Sequence, residues 1–285
     1  MPRISRRRSR AWRRQSNARV PTEGWRLEDV DGVRLVRCAA LEDVSGLAHA
    51  FSTRIADGGH DFNLGPADDD GHAARQRRRT FLRAAGFGDA RPLILRQVHG
   101  NRLVSASSAP DQFPEADGSF RLLTPGDDAP VPAVRTADCV GLLFVDRRIR
   151  TVAAVHAGWQ GVAAGIAAQT IEALAGLGSS PRDLVVALGP AILKCCYEVR
   201  EEVVAAIKAA CPPLAFGPSR GTRGLVTVDL HAALRAQLSA AGVPNAEIHG
   251  APWCTRCRND LFFSARAEGK QAGRLMAAIG PAGAA

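Results

Sequence analysis

Three short segments each place a histidine or a cysteine beside small residues, at the end of a run that is apolar in the manner of a β-strand. They are far apart in the chain, unlike the ligands of a zinc finger, so a site built from them requires separate strands that converge. The segments are Gln97-Val98-His99-Gly100, Ala137-Asp138-Cys139 and Val155-His156-Ala157-Gly158-Trp159.

His99, Cys139 and His156 are candidate ligands of a transition-metal ion. Imidazole and thiolate are preferred zinc ligands, and three protein ligands with an open fourth position are typical of catalytic zinc. Copper binds such ligands with higher intrinsic affinity than zinc, so copper is the alternative ion. The alternative interpretation is a half-buried cysteine near two unconnected histidines. Asp138 is either a hydrogen-bond partner of a metal-bound histidine or a cap of the turn before its strand.

The net charge of +9 is concentrated at the start of the chain. Residues 1–19 contain eight arginines and no lysine or acidic residue, which leaves about +1 for the remainder. We interpret residues 1–22 as a disordered arginine-rich tail. The alternative is non-specific binding of RNA or anionic lipid by the tail. A nearly neutral body and a single aromatic residue in the tail, Trp12, argue against a nucleic-acid-binding protein.

The cysteines indicate a reducing compartment. Seven cysteines, an odd number, occur without the apolar core of a secretory signal, which favours the cytoplasm over a disulfide framework. No apolar run has the length of a membrane span, so no membrane partner is expected. Cys254 and Cys257 form a lone CxxC pair and Cys195 and Cys196 are adjacent in sequence. We interpret these four as ordinary thiols.

The order of elements predicts a layered α+β domain, and the length suits one large domain or two smaller ones. Helices alternate irregularly with paired strands, which disfavours a doubly wound sheet. The stretch Asp111–Pro132, rich in Pro and Asp, is predicted to be a long loop. Other predictions are a hairpin around Asp31-Gly32, a helix at 75–86, strands at 92–98, 102–106, 140–145, 151–155 and 183–188, one helix from the 158–161 turn to about 176, and a helix capped by Asp229.

Several motifs together resemble the YfiH family, also called the laccase-domain or multicopper polyphenol oxidase-like family, whose members are described as purine nucleoside phosphorylases. They occur in the family's order and cover roughly residues 45 to 275. The matching segments are Phe51-Ser52-Thr53-Arg54, Asn63-Leu64-Gly65, Gln97-Val98-His99-Gly100, Thr136-Ala137-Asp138-Cys139, Val155-His156-Ala157-Gly158-Trp159, Gly189-Pro190-Ala191-Ile192, Tyr197-Glu198-Val199 and Phe262-Phe263-Ser264.

The resemblance implies that residues 23–285 form a single catalytic α+β domain of layered mixed β-sheets flanked by helices. It also implies that His99, Cys139 and His156 hold zinc in a pocket of this domain and act in catalysis. The implied activity is phosphorolysis of adenosine, inosine or guanosine to the base and ribose-1-phosphate, with deamination of adenosine as a further activity. Purine nucleosides and phosphate are then its small-molecule partners. The chain departs from the family pattern at three places, of which the last bears on substrate preference or phosphate affinity. They are Gly141 in place of Pro, Gln160 in place of Arg, and Ala265-Arg266-Ala267 in place of Tyr-Arg-Arg.

Three further residues of these motifs are candidates for substrate binding. Arg54 is the first candidate for phosphate, because a planar guanidinium pairs two phosphate oxygens. Its alternative role is surface solvation. Asn63 and Gln97 are candidates for hydrogen bonds to the base or the ribose, and capping of a loop is the alternative for Asn63.

Other enzyme classes fit the same residues. Cys139 as a thiolate nucleophile, with His156 or His99 as its base, would make a cysteine hydrolase or amidase, and a peptidoglycan-precursor editing enzyme fits the same pocket. A metal held tightly on Cys139 would exclude the nucleophile. A copper-bound polyphenol oxidase is a further alternative. A four-copper cluster needs many imidazoles, however, and the chain has seven histidines and no His-x-His pair.

Overall fold

Two six-stranded β-sheets pack face to face and share an apolar core. The structure, a computed structural model, describes residues 23–65, 71–108, 113–124, 126, 128–211, 219–220 and 225–283. The tail predicted for residues 1–22 lies outside the described residues. Its disorder, and the boundaries of the domain predicted for residues 23–285, therefore stay predictions.

The strands and helices follow one another without strict alternation. The strands are β1 (Trp25–Val30), β2 (Val33–Cys38), β3 (Leu47–Ala56), β4 (Pro92–Leu93), β5 (Leu103–Ser105), β6 (Gly118–Leu122), β7 (Val131–Thr136), β8 (Val140–Asp146), β9 (Thr151–Ala157), β10 (Leu184–Leu188), β11 (Glu198–Val199), β12 (Ser219–Arg220), β13 (Val226–Thr227), β14 (Ile248–Gly250) and β15 (Leu275–Pro281). The helices are α1 (Ala39–Glu42), α2 (His72–Ala84), α3 (Trp159–Ala163), α4 (Ile166–Ala175), α5 (Glu201–Ala209), α6 (Leu230–Ala240) and α7 (Ala265–Glu268), with 3-10 turns at Pro181–Asp183, Asn245–Glu247 and Gly269–Gln271.

Both large sheets are mixed. The first has the order β1-β2-β3-β15-β7-β4, and the second has the order β14-β10-β8-β9-β6-β5. Most neighbours are antiparallel, but β4 runs parallel to β7, β5 to β6, and β14 to β10. A small third sheet has the order β11-β13-β12. The irregular order confirms that the fold is not a doubly wound sheet.

The side chains of β8 show how strand alternation divides the core into layers. Leu142 and Phe144 point to a cluster that they share with α4 and α6. Leu143 and Val145 point the other way, into a cluster shared with β3 and β15 of the first sheet. The outer face of the first sheet packs on α2 through Phe81. The layers are therefore helix, sheet, sheet and helices, which confirms the predicted α+β class.

Strands β8 and β9 form the most deeply buried hairpin, since every residue of both strands is buried. Both faces are covered, so these strands are apolar throughout instead of alternating. The Asp146 carboxylate accepts backbone hydrogen bonds from Arg148 (2.8 Å) and Ile149 (3.2 Å), and Arg150 completes the turn with a φ of 62°. The predicted pairing of residues 140–145 with residues 151–155 is confirmed.

Other predicted elements are confirmed in position but not always in extent. The β1–β2 hairpin turns at Asp31-Gly32, and the Asp229 side chain caps α6 by accepting the Ala232 N–H at 3.0 Å. The predicted strand at 92–98 is shorter, because only Pro92–Leu93 pairs as β4. The helix predicted to end near 176 is two helices, α3 and α4, separated at Gly165, whose φ of 76° is outside the helical region.

The structure corrects the predicted loop at Asp111–Pro132. Strand β6 lies within this stretch and pairs with β9 on one side and with β5 on the other. Its sequence, Gly-Ser-Phe-Arg-Leu, has no strong strand pattern of its own. The strand forms because its backbone groups are paired by two neighbours, which a local sequence pattern does not reveal. Among the helices that the structure describes, none is both long and apolar enough to cross a bilayer.

The inter-sheet core predicts a measurable stability effect. Leu143→Ala removes a fully buried side chain between the sheets, and we expect it to lower the free energy of unfolding by about 2–5 kcal/mol. Leu122→Ala on β6, where the residue is 38% exposed, is the control and should change it by less than about 1 kcal/mol. Urea unfolding of both variants measures the difference. Equal losses would contradict the layered core.

Candidate metal centre and active site

The β8–β9 hairpin brings two of the candidate ligands to one end of the second sheet. Cys139 directly precedes β8, and His156 in β9 is paired with Gly141 of β8. Asp138 turns the chain into the strand with a φ of 91°, a conformation that non-glycine residues rarely adopt. The hairpin thus brings together two ligands that are separated in sequence, as a site built from converging strands requires.

The third candidate, His99, comes from the connection between β4 and β5. Its φ of 62° is also in the left-handed region, so the backbone here needs external support. The support is Asp117, whose carboxylate accepts the N–H groups of Val98 (3.2 Å), His99 (2.9 Å) and Gly100 (2.7 Å). One carboxylate therefore holds the turn that presents His99.

Asp117 also holds His156. Its Oδ1 lies 2.9 Å from His156 Nδ1, and Asp117 is fully buried. Burial alone would raise the pKa of Asp117, but His156 and the N–H groups of His99 and Gly100 lower it, so the group is a carboxylate. A carboxylate on Nδ1 leaves Nε2 of the ring for a metal ion.

The three candidate ligands are close enough to share one ion. Their ligand atoms all lie within 4.8 Å of one another, and the rings of His99 and His156 are edge to face with centroids 4.9 Å apart. Small side-chain rotations reduce this spacing to that of ligands around zinc, whose bonds to nitrogen and sulfur are about 2.0–2.3 Å. One thiolate and two imidazoles fit a transition-metal ion rather than calcium or magnesium.

Gly158 leaves the space that the site needs. A Cβ atom at this position would lie 3.0 Å from His99 Cδ2 and 3.1 Å from Cys139 Sγ. Both distances are below ordinary van der Waals contact, so a larger residue would displace the two ligands. The φ of Gly158 is −79°, which shows that the glycine is needed here for space and not for its backbone freedom.

Cys139 and His156 are electrostatically matched. Burial would raise the pKa of the Cys139 thiol, but the adjacent His156 and His99 outweigh it and lower the pKa to about 6. Burial would lower the pKa of His156, but the Cys139 thiolate and Asp117 outweigh it and raise the pKa to about 9. Near neutral pH the two form a thiolate–imidazolium pair, and an incoming metal ion would displace the imidazolium proton.

A cavity of about 600 Å³ opens beside the three ligands, which is large enough for a small molecule. His99 is exposed, Cys139 is half-buried and His156 is buried, and all three side chains line the cavity. Four arginines and one aspartate line it, which favours an anion. The lining residues are Arg96, Gln97, His99, Arg135, Thr136, Ala137, Asp138, Cys139, His156, Ile192, Tyr197, Ala265, Arg266 and Arg274.

Gln97 is the one of the three predicted substrate residues that lines this cavity. Its amide is already bonded to the backbone of Arg135, donating to the carbonyl at 2.8 Å and accepting the N–H at 2.9 Å. Asn63 accepts the N–H groups of Gly65 (2.9 Å) and Arg274 (2.8 Å), as the loop-capping alternative expects.

Arg54 does not line the cavity. Its guanidinium forms an ion pair with Glu268 at 2.9 Å, donates to the carbonyl oxygens of His60 and Asn259, and lies 4.4 Å above the Phe263 ring. Only 15% of the Arg54 side chain is exposed, which does not fit the surface-solvation alternative.

Asp138 is not the partner of a candidate metal-binding histidine. Its carboxylate accepts the Thr255 hydroxyl at 2.6 Å and the backbone N–H of Arg266 at 2.7 Å. It therefore joins the start of β8 to the segment that leads into α7. The partner of His156 is Asp117, which sequence reasoning missed because it lies in the stretch predicted to be a loop.

Two further cavity residues were not singled out from the sequence. Tyr197, the only tyrosine of the chain, is buried beside the metal centre, and burial and the nearby Cys139 raise its pKa. The guanidinium of Arg266 lies 5.3 Å from the centre of its ring. The motifs could have pointed to both, because Tyr197 lies within a matched motif and Arg266 follows shortly after another.

The two-sheet fold is that of a known family. The model of the multi-copper polyphenol oxidoreductase laccase family matches residues 48–282, and the chain belongs to this family. The resemblance stated from the motifs is confirmed.

Individual relatives bear names that describe enzymes. "Purine nucleoside phosphorylase YlmD" of Geobacillus stearothermophilus is 38% identical over 220 residues, 71% of this chain and 77% of that protein. Its crystal structure has a TM-score of 0.76 and covers 87% of this chain and 96% of that chain at 32% identity. "Purine nucleoside phosphorylase YfiH" of Escherichia coli (strain K12) is 36% identical over 244 residues, 82% and 93% of the two chains. "Adenosine deaminase RL5" of an unknown prokaryotic organism is 41% identical over 150 residues, 52% and 57% of the two chains.

The position of Asp117 predicts the effect of neutralising it. Asp117→Asn keeps the shape of the side chain but removes the charge that fixes His156 and the His99 turn. We expect zinc affinity, measured by competition with a chelator, to fall by about 10–100-fold. Asp89→Asn, at a side chain that is 84% exposed, is the control and should leave it unchanged. Unaltered affinity in Asp117→Asn would show that the carboxylate does not support the ligands.

Proposed function

We propose that the chain is a zinc-dependent purine nucleoside phosphorylase that converts adenosine, inosine or guanosine and phosphate to the base and ribose-1-phosphate, and that it also deaminates adenosine. The observation that supports this most is the meeting of His99, Cys139 and His156 beside an arginine-lined cavity. The names of the relatives YlmD, YfiH and RL5 point to the same activities. All seven cysteines are free, which supports a reducing, cytoplasmic location.

Arg266 and Arg274 are the residues that we propose for phosphate. Both line the cavity, and each uses one guanidinium nitrogen on carbonyl groups, Arg266 on Glu198 and Arg274 on Ala272 and Gly273. A guanidinium has five N–H donors, so each retains donors for phosphate oxygens. Arg266 is the one arginine left in the segment where the family pattern has two.

Arg54 and Asn63 then act on phosphate through these two arginines. Arg54 pairs with Glu268, whose second oxygen accepts the N–H of Ser264 at 3.1 Å and so fixes α7, which carries Arg266. Asn63 accepts the backbone N–H of Arg274 at 2.8 Å. Both motif residues are positioning residues in this proposal.

The apolar part of the cavity suits a purine. Ile192 and the ring of Tyr197 offer surface on which a flat base can pack, and Gln97 lies beside the metal centre with its amide fixed by Arg135. A base held there places the ribose between the base site and the arginines. The bound nucleoside and phosphate are then oriented toward each other, which is a large part of the rate enhancement in a two-substrate reaction.

His99, Cys139 and His156 would hold the ion, which when bound supplies Lewis-acid catalysis. Asp117 keeps Nδ1 of His156 occupied, so that Nε2 is directed to the ion. All three side chains line the cavity, so an ion held by them would be accessible to an oxygen of phosphate, of ribose or of water there. Phosphorolysis and deamination differ in which of these oxygens attacks, and both can use this one site.

A cysteine hydrolase is the second candidate, and the thiolate–imidazolium pair favours it. The neighbouring His156 lowers the pKa of the Cys139 thiol to about 6. A cysteine with a lowered pKa next to a histidine is typical of an activated nucleophile. A metal ion on the same sulfur would occupy the nucleophile. The two candidates therefore differ in whether a metal ion is required for activity.

Metal dependence and phosphate dependence together test the proposed function. We expect chelation to abolish formation of ribose-1-phosphate from inosine and phosphate, and zinc to restore it. Cys139→Ala should lower kcat/KM by about 10²-fold or more, because Lewis-acid stabilisation is worth several kcal/mol. Cys211→Ala, at a half-buried thiol outside the cavity, is the control. Full activity in metal-free protein, or release of base without phosphate, would overturn the proposal.

The proposed phosphate site predicts a specific kinetic change. Arg266→Gln removes the charge beside Tyr197 and should raise the KM for phosphate by about 10-fold, since a hydrogen bond to a charged group is worth about 1.5–3 kcal/mol. The KM for the nucleoside should change much less. Arg200→Gln, at a side chain that is 80% exposed, is the matched control. Equal changes in both KM values would contradict a specific role of Arg266 in phosphate binding.

A further inference from the structure

Four cysteines meet at a second place, outside the metal centre described above. Cys195 and Cys196 come from the segment between β10 and β11, and Cys254 and Cys257 come from the segment after β14. All four sulfur atoms lie within 4.8 Å of one another, and Cys257 Sγ is 3.6 Å from Cys195 Sγ and 3.4 Å from Cys196 Sγ. The sequence interpretation took these residues as ordinary thiols, and the fold adds that they form one group.

The spacing fits four ligands around one ion. Sulfur atoms bound tetrahedrally to zinc at about 2.3 Å are about 3.8 Å apart, close to the two measured distances. A disulfide requires sulfur atoms about 2.0 Å apart, and all four cysteines are free. A multinuclear iron–sulfur cluster is larger than a single ion and would hold its cysteines farther apart than this group allows.

The backbone around the group also suits a bound thiolate. The N–H of Leu193 points at Cys254 Sγ at 3.5 Å, and the N–H of Cys257 is a second donor to the same sulfur. Hydrogen bonds of this kind stabilise negative charge on sulfur. Cys196 and Cys254 are buried, whereas Cys195 is exposed, so the group has one side open to solvent through which an ion can enter.

We propose that Cys195, Cys196, Cys254 and Cys257 form a second, structural metal site that binds one Zn²⁺ ion through four thiolates. Four protein ligands leave no position for a substrate, which is the arrangement of structural rather than catalytic zinc. This site differs from the His99–Cys139–His156 centre in ligand set and in having no open position.

The site fastens two segments of the cavity wall to each other. The segment with Cys195 and Cys196 also carries Ile192 and Tyr197, and the segment with Cys254 and Cys257 leads to Arg266. Without an ion, their described links near the cysteines include the β-bridge between Ala191 and Cys254 and the hydrogen bond from the Thr255 N–H to the Ala191 carbonyl at 2.9 Å. The contact from the Leu193 N–H to Cys254 Sγ at 3.5 Å is a further link. A tetrathiolate ion adds a strong crosslink at this point and so fixes the wall beside the substrate.

Metal analysis of Cys139→Ala protein, purified under reducing conditions, tests the proposal apart from enzyme activity. This variant lacks a ligand of the first site, so the proposal expects it to retain one zinc per chain. The double variant Cys254→Ser/Cys257→Ser in the Cys139→Ala background should hold none, and Cys211→Ser in that background should still hold one. Absence of zinc from Cys139→Ala, even after incubation with Zn²⁺, would overturn the proposal.

Cobalt gives a second measurement that does not depend on a variant that folds poorly. Co²⁺ added to metal-free Cys139→Ala should produce the intense near-ultraviolet charge-transfer absorption of a thiolate-bound ion, with four thiols protected from a thiol reagent. Cys195→Ser, at the exposed position, should weaken the absorption and release the ion faster to a chelator. Four thiols that react at once in the presence of Co²⁺, or a disulfide between any two of these cysteines in the reduced protein, would contradict the site.

Failure of this proposal and failure of the proposed function are distinguishable. If the Cys139→Ala variant holds one zinc but the wild-type protein forms no ribose-1-phosphate, the structural site exists and the activity is a different one. If the wild-type protein phosphorolyses inosine but the Cys139→Ala variant holds no zinc, the activity exists and the second site does not. Removal of the second ion should also lower the melting temperature of Cys139→Ala, because an ion that binds only the folded chain stabilises it.

Discussion

One buried carboxylate holds the candidate metal centre together. Asp117 is fully buried and accepts hydrogen bonds from three successive backbone N–H groups and from the ring of His156. Burying a charge costs free energy unless the charge is fully hydrogen-bonded, so the loss of any one of these partners would destabilise the folded protein. Because those partners are the turn that presents His99 and the ring of His156 itself, the positions of two of the three ligands depend on Asp117.

The cavity next to this centre is built by segments that are distant in sequence and fastened at specific points. Asp138 joins the start of β8 to Thr255 and to the N-terminus of α7. Arg54 and Asn63 hold the segments that carry Arg266 and Arg274. Side chains proposed to bind substrate need fixed positions, and the motif residues outside the cavity supply that support.

The sequence predicted the buried hairpin, the fold class and three candidate ligands that the fold brings together. Each leaves a local pattern: apolar runs, interleaved helix and strand periods, and small residues beside His and Cys. It did not predict β6, whose polar sequence is a strand only through pairing with β5 and β9. Asp117 was missed for the same reason, since it directly precedes that strand. Arg54, Asn63 and Gln97 were chosen as substrate candidates from motifs, but a motif does not show which side chains reach the cavity, and only Gln97 lines it.

The sequence by itself determined which chemistry is available: two imidazoles and a thiolate at strand ends, arginines for an anion, and four cysteines in two pairs. Only the tertiary structure decided how these groups are combined. It assigned His156 to Asp117 and Asp138 to Thr255, and it brought Cys195 and Cys196 to Cys254 and Cys257. The physical reason is that hydrogen bonds and metal ligation act over a few ångströms in space, whereas these partners are separated by tens of residues or more along the chain.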